Sequence, residues 1–125
     1  MRILLDTHCL LWWLSDDPTL GDQGRELIST PENLVFFSAA SIWKIRIKQS
    51  IGKLDLPGDF VEVLAGQPFE SLAVTVEHAH ALKDLPLLHR DPFDRLLIAQ
   101  ARSDRLTLLT HDRIVTQYDV STVLV

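Results

Sequence analysis

The sequence predicts an α/β fold built on a central, mostly parallel sheet of four or five strands flanked by helices. Three observations predict it. Its short apolar runs lack the alternation of a strand with one wet face, which marks parallel strands covered on both sides. Stretches of helical length separate those runs. The first run ends abruptly on an acid and another on Thr110-His111-Asp112, as expected where strands deliver side chains to a site.

Arg2 to Leu5 is a plausible buried strand closed by Asp6. Thr7 to Ser15 reads as a helix, stopped by the breakers Asp16-Asp17-Pro18. Leu20 to Ser29 places Leu20, Gly24, Leu27 and Ile28 at helical spacing, and Thr30-Pro31 ends it. Leu34 to Phe37 is a second buried-type strand, after which Ser38 is a suitable N-cap for a helix from Ala39 to about Ser50. The stretch from Ile51 to Gly58 reads as a loop and Asp59 to Ala65 as a helix. Leu72 to Val74 is expected as a third strand and Val76 to Leu85 as a helix. Asp91 or Pro92 opens a longer helix to about Ser103, with Leu96, Leu97, Ala99 and Ala101 on a broad apolar face. Leu106 to Leu109 is a fourth strand, and a turn near Ile114 to Tyr118 leads to a last one at Thr122 to Val125. Residues 1–125 are expected to form one domain, without repeat, linker or low-complexity tract.

Composition narrows the function. With 46% hydrophobic and 23% charged residues, the chain is neither disordered nor fibrous. Twelve Lys and Arg against seventeen Asp and Glu give a net charge of -5, which argues against a binder that holds nucleic acid over its whole surface. Cys9 is the only cysteine, so neither an internal disulfide nor a cysteine zinc cluster is available. The apolar start is interrupted by Asp6 and His8, unlike a signal peptide, and the run Cys9 to Leu14 is far too short for a membrane span. A soluble, cytoplasmic protein is expected.

The carboxylates carry the chemistry. Asp6 directly follows an apolar strand, a poor place for an acid unless it is paired or bound. Asp112 lies just past the fourth strand. Asp91 and Asp94 begin the long helix, where they serve equally as caps or partners of the helix dipole. Converging carboxylates repel one another, and a hard divalent cation with oxygen ligands is the usual compensation. Such an ion orients a phosphodiester and activates water.

These residues resemble a known family. The Asp6-Thr7 pair, the stretch SAASIWKIRIKQSIGKL, the stretch HRDPFDRLLIAQA and the final THD are similar, in that order, to PIN-domain ribonucleases, and most to the VapC-type toxins of toxin–antitoxin pairs. The resemblance implies a PIN-like three-layer fold, RNA as substrate and Mg²⁺ or Mn²⁺ as cofactor. It matches Asp6, Asp94 and Asp112 to metal-holding acids, Asp91 to a neighbouring acid and Thr110 to a supporting hydroxyl. It also implies a homodimer and an antitoxin partner, with DNA reached only through that partner.

One position departs. The family pattern has a Glu after the Trp of the helix that follows the second strand; here Trp43 is followed by Lys44. A charged ammonium cannot ligate a metal. Near a protein surface, a unit pair about 4 Å apart interacts on the scale of roughly 4 kcal/mol, so Lys44 would repel the cation that a Glu attracts. The expectation is a nuclease weakened or inactivated by Lys44, or else a non-catalytic antitoxin-binding module derived from one.

Other features admit two readings each. Lys44, Arg46, Lys48 and Lys53 lie in an interval without acids, from Asn33 to Leu54, so Arg46 and Lys48 are candidate RNA contacts or parts of a solvated face. Arg95 beside Asp94 is a candidate phosphate contact or a surface ion-pair partner. Trp12 and Trp13 are candidates for antitoxin contact or for core. His78 and His80, two apart on a helix, chelate poorly, and adding His89 makes only a weak case for zinc. His8 and Cys9 lack the third group that would orient a nucleophilic pair. A phosphoacceptor receiver would need an acidic pair after the first strand and an Asp at the end of a middle one; a single Asp6 and Ser38 stand there.

Overall fold

A computed structural model describes residues 1–125. In chain order the elements are β1 (Arg2–Leu5), α1 (Thr7–Leu14), α2 (Gly21–Ser29), β2 (Leu34–Ser38), α3 (Ala39–Ser50), α4 (Phe60–Ala65), β3 (Glu70–Leu72), α5 (Val76–Ala81), α6 (Pro92–Asp104), β4 (Thr107–Thr110) and β5 (Thr122–Leu124). The strands form one sheet in the order β3-β2-β1-β4-β5. Every pairing is parallel.

Alternation within the central strands builds three layers. Ile3 and Leu5 of β1, Val35 and Leu109 pack with Cys9, Leu10, Ile45 and Phe60 from α1, α3 and α4. Leu4 and Leu108 point the other way, onto Leu97, Ile98 and Ala101 of α6. Each such side chain contributes roughly 1.5–3 kcal/mol on full burial. Both faces are covered, which is why these strands read as continuous apolar runs.

Two elements differ from the sequence reading. The third strand is Glu70–Leu72, earlier than the expected Leu72 to Val74. It is an edge strand paired to β2 through Phe36, Phe37 and Ser38, so backbone pairing outweighs its polar composition. The expected helix Val76 to Leu85 stops at Ala81 and tightens to a 3₁₀ turn over Leu82–Asp84. No helix is long and apolar enough to cross a membrane.

The sheet order places the site. From β1 the chain moves outward to β2 and later returns to β4 on the other side, so β1 and β4 flank a topological switch point. In open parallel sheets, ligands bind outside the carboxyl ends of the strands at such a point. Helices antiparallel to the strands begin at that edge, and α6 brings its N-terminus there.

Candidate metal centre

Asp6 comes first. It follows β1, caps α1 and is only 6% exposed. Its Oδ1 accepts the Cys9 N–H at 2.8 Å. Its Oδ2 accepts the Thr110 hydroxyl at 2.7 Å and the His111 N–H at 3.3 Å. Thr110 Oγ1 in turn accepts the Asp112 N–H at 3.0 Å, so one hydroxyl locks the ends of β1 and β4 together. Asp112 Oδ1 accepts the Ile114 N–H at 2.9 Å, which leaves Oδ2 for the site.

The opposite wall is the start of α6. Asp91 Oδ1 accepts the Phe93 and Asp94 N–H groups at 2.8 and 3.2 Å, an N-cap ahead of Pro92. Such a cap stabilises a helix by about 1 kcal/mol. Asp91 Oδ2 takes a 2.8 Å ion pair from Lys44 Nζ. That ammonium also lies 3.8 Å from Asp94 Oδ1. Lys44 is 8% exposed, so its charge is turned into the acidic wall and not to solvent.

His89 closes the gap. Its Nε2 lies 2.7 Å from Asp112 Oδ2 and 3.1 Å from Asp94 Oδ2. Its Nδ1 accepts the Asp91 N–H at 3.0 Å. One donor atom each from His89, Asp94 and Asp112 fall within 4.8 Å of one another.

The neighbouring acids titrate in opposite directions. Burial pushes the Asp94 carboxyl up; Lys44 opposes this, and the Asp91 charge adds to it. Burial also acts upward on Asp91, but the Lys44 hydrogen bond and the helix N–H groups outweigh it and hold that carboxyl below its ordinary value. The Lys44 ammonium meets two of the four carboxylates, Asp91 and Asp94, while Asp6 and Asp112 are held by hydrogen bonds, so acids outnumber cations in the site. Excess negative charge carried by oxygen donors fits a divalent cation. The donor atoms close enough to share an ion come from Asp94, Asp112 and His89. Asp6, expected as a third acid, acts on the Asp94 charge but has both oxygens engaged in hydrogen bonds, and Lys44 stands where a further acid would help.

The remaining candidates separate. Arg95 Nη1 donates to the Pro86 carbonyl at 2.8 Å, so this side chain fastens the loop before α6. Arg46 pairs with Gln49 Oε1 at 2.7 Å and sits over the Phe60 ring, away from the acids. Lys48 lines a groove of about 580 Å³ with Leu11, Trp12, Leu14, Lys53 and Phe60. Trp12 stacks on His8 and meets His111 edge-on, whereas Trp13 donates to Gln67 Oε1 at 2.9 Å and packs on the core. Trp43 is 62% exposed and lies against Phe93.

His78 is buried and directed to Asp104 Oδ1 at 3.2 Å, whereas the donors that gather with His89 come from Asp94 and Asp112. His8 faces solvent while Cys9 is fully buried, and burial, then the Asp6 charge, pushes its thiol far up. Neither is a nucleophilic pair. His89 is the site residue that sequence reasoning missed. The available signal was its place two residues before Asp91 in His89-Arg90-Asp91.

Residues 3–121 match the family model of the PIN domain. No curated protein gives a significant match. Among solved structures, VapBC2 from Rickettsia felis bound to a DNA fragment from its promoter aligns with a TM-score of 0.76 at 14% identity, covering 100% of this chain and 99% of that one. DNA-bound VapBC from Salmonella typhimurium gives 0.69 at 14% identity, over 98% and 97% of the two chains. VapBC-1 from nontypeable Haemophilus influenzae gives 0.66 at 16% identity, over 99% and 98%. At these identities the likeness is one of fold.

Proposed function

The chain belongs to the PIN domain family, and from that premise we propose that it is a Mg²⁺- or Mn²⁺-dependent RNA endonuclease, the toxin of a toxin–antitoxin pair, held at low activity by Lys44. The observation that supports this reading is the approach of Asp94 and Asp112 beside the β1–β4 switch point, with Asp6 near enough for its charge to act on Asp94 and Lys44 turned onto Asp91 and Asp94. When bound, the ion would supply a water of lowered pKa and charge stabilisation at the scissile phosphate. The residues of the chain do the positioning. Thr110 fixes Asp6 relative to Asp112, and Asp91 fixes both the start of α6 and the Lys44 ammonium. Lys44 cancels part of the field that would gather a cation.

The partner reading rests on the groove beside α1. Leu11, Trp12, Leu14 and Phe60 give it an apolar floor, and Lys48 and Lys53 give it a basic side. It suits an amphipathic, acidic antitoxin segment, with DNA contacted through the antitoxin. The VapBC assemblies that share the fold support this partner class. A homodimer in the cytoplasm completes the reading. Arg46, Lys48 and Arg95 are weak candidates for RNA contact, because each is engaged elsewhere or lies off the acidic site.

The experiment compares the parent with Lys44→Glu for Mn²⁺ binding by calorimetry and for cleavage of single-stranded RNA. Lys44→Glu is expected to cleave at least about a hundredfold faster, a change of about 3 kcal/mol in the barrier that lies within the roughly 4 kcal/mol scale of a single unit-charge pair at about 4 Å. Equal activity in both chains would remove Lys44 as the cause. Absence of binding and cleavage in Lys44→Glu would defeat the nuclease reading. It would favour the second one, a non-catalytic antitoxin-binding module, which the Lys44–Asp91 ion pair supports.

A further inference from the structure

We propose that His89 is a built-in competitor for the cation, a ring that bridges Asp94 and Asp112 through its Nε2–H and must swing away before a divalent ion can bind between them. The inference rests on the proposed function only in taking Asp94 and Asp112 as cation ligands.

The tautomer is fixed by what each ring nitrogen faces. Nδ1 lies 3.0 Å from the backbone nitrogen of Asp91, a group that can only donate. Nδ1 therefore offers a lone pair, and the hydrogen of the neutral ring sits on Nε2. Nε2 in turn faces two acceptors, Asp112 Oδ2 at 2.7 Å and Asp94 Oδ2 at 3.1 Å. A histidine that ligates through Nε2 needs the reverse arrangement, with its lone pair toward the ion and its Nδ1–H on an acceptor. In the observed ring position that would set an Nδ1–H against the Asp91 N–H. The geometry is that of a donor standing in the cation's place.

The ring is also anchored. The His89 and Leu88 N–H groups both donate to the Tyr118 hydroxyl, at 2.7 and 3.1 Å, and Tyr118 is 4% exposed. Arg95 ties the same loop down at the Pro86 carbonyl. Asp94 thus has one oxygen toward Lys44 and the other toward His89. The acidic wall is satisfied by groups of its own chain, and an incoming ion has to break the His89 contacts. Hydrogen bonds to charged groups are strong enough that losing them lowers affinity by about tenfold or more.

Mn²⁺ titration by calorimetry of the parent, His89→Ala, Lys44→Glu and the double variant tests this. His89→Ala is expected to tighten binding by about tenfold on both backgrounds. Unchanged or weaker binding overturns the proposal, since His89 would then be a bystander or a ligand. So does absence of binding in all four chains, which leaves no cation position to contest. Lys44→Glu on its own reads the proposed function, so a chain that binds Mn²⁺ and cleaves RNA while ignoring His89 refutes only the present inference. A readout on the parent needs no variant: ¹⁵N shifts of the His89 ring should report Nε2–H in the metal-free protein and release from the carboxylates on adding Mg²⁺. An Nδ1–H ring in the metal-free protein overturns it.

Discussion

The two walls of the acidic site are built on different physics. The strand wall, Asp6 with Thr110 and His111, is a hydrogen-bonded unit in which a carboxylate is satisfied by two backbone N–H groups and one hydroxyl. The helix wall, Asp91 and Asp94 with Lys44 and His89, is held by opposite charges and by an imidazole reaching from a loop. The first is short-range and would persist in salt. The second depends on long side chains whose balance shifts when one charge changes. On the proposed function a cation would need both walls, and the helix wall would decide whether it can enter.

Removing Asp6 gives the largest expected loss of stability. Asp6→Ala deletes the N-cap of α1 and leaves the buried Thr110 hydroxyl and the His111 N–H without their acceptor. A lost cap costs about 1 kcal/mol and an orphaned buried donor about 1–3 kcal/mol, so about 3 kcal/mol in all is expected from urea unfolding. A loss below about 1 kcal/mol would show that the strand wall relaxes around the change. Asp6→Asn, which keeps an acceptor for the cap, should lose less.

On the helix wall, Asp91→Ala should cost about 2 kcal/mol. Part is the cap of α6 and part is a Lys44 left in a buried position with only Asp94 nearby. Lys44→Met on the Asp91→Ala background should recover about 1 kcal/mol, because an apolar stem replaces an unpaired ammonium. A double-mutant cycle by thermal unfolding measures the coupling. Additive losses would mean that the Lys44–Asp91 pair contributes nothing net, as exposed ion pairs often do.

The difference between the walls also explains what the sequence made legible. Asp6 could be read because an acid ending an apolar strand has few harmless explanations, and Asp91 and Asp94 because Asp-Pro-Phe-Asp opens a helix. Lys44 announced itself as the wrong charge at a patterned position. His89 did not, because its role depends on Asp112, 23 residues away, and on a loop conformation set by Tyr118. Arg95 was readable as a phosphate contact from its neighbour Asp94, yet its length lets it turn back to the Pro86 carbonyl. The third strand was misplaced because an edge strand is held by backbone pairing, which leaves little mark on side-chain pattern. Local hydrogen-bonded features show in sequence; long side chains and edge pairings are decided by the tertiary structure.

The smallest effect, and the finest division between the walls, is the response to pH. Asp94 has its folded carboxyl raised above 3.8, first by burial. The native state then holds this proton more tightly than the unfolded chain, so stability falls as pH rises through the window between 3.8 and the raised value. Above that window the full cost of an ionised Asp94 is present. Asp91, lowered below 3.8, behaves oppositely: its contribution is present above 3.8 and is lost as pH falls through the lowered value. Asp94→Asn in metal-free protein should therefore raise stability at pH 7 and flatten its decline above pH 3.8. Asp91→Asn, which retains a cap but loses the Lys44 pair, should lower stability at pH 7. Thermal midpoints of both variants and the parent between pH 3 and pH 8 read the signs directly. If both substitutions destabilise at pH 7, Lys44 and His89 together satisfy Asp94 as fully as the backbone satisfies Asp6, and the charged wall is no more frustrated than the hydrogen-bonded one.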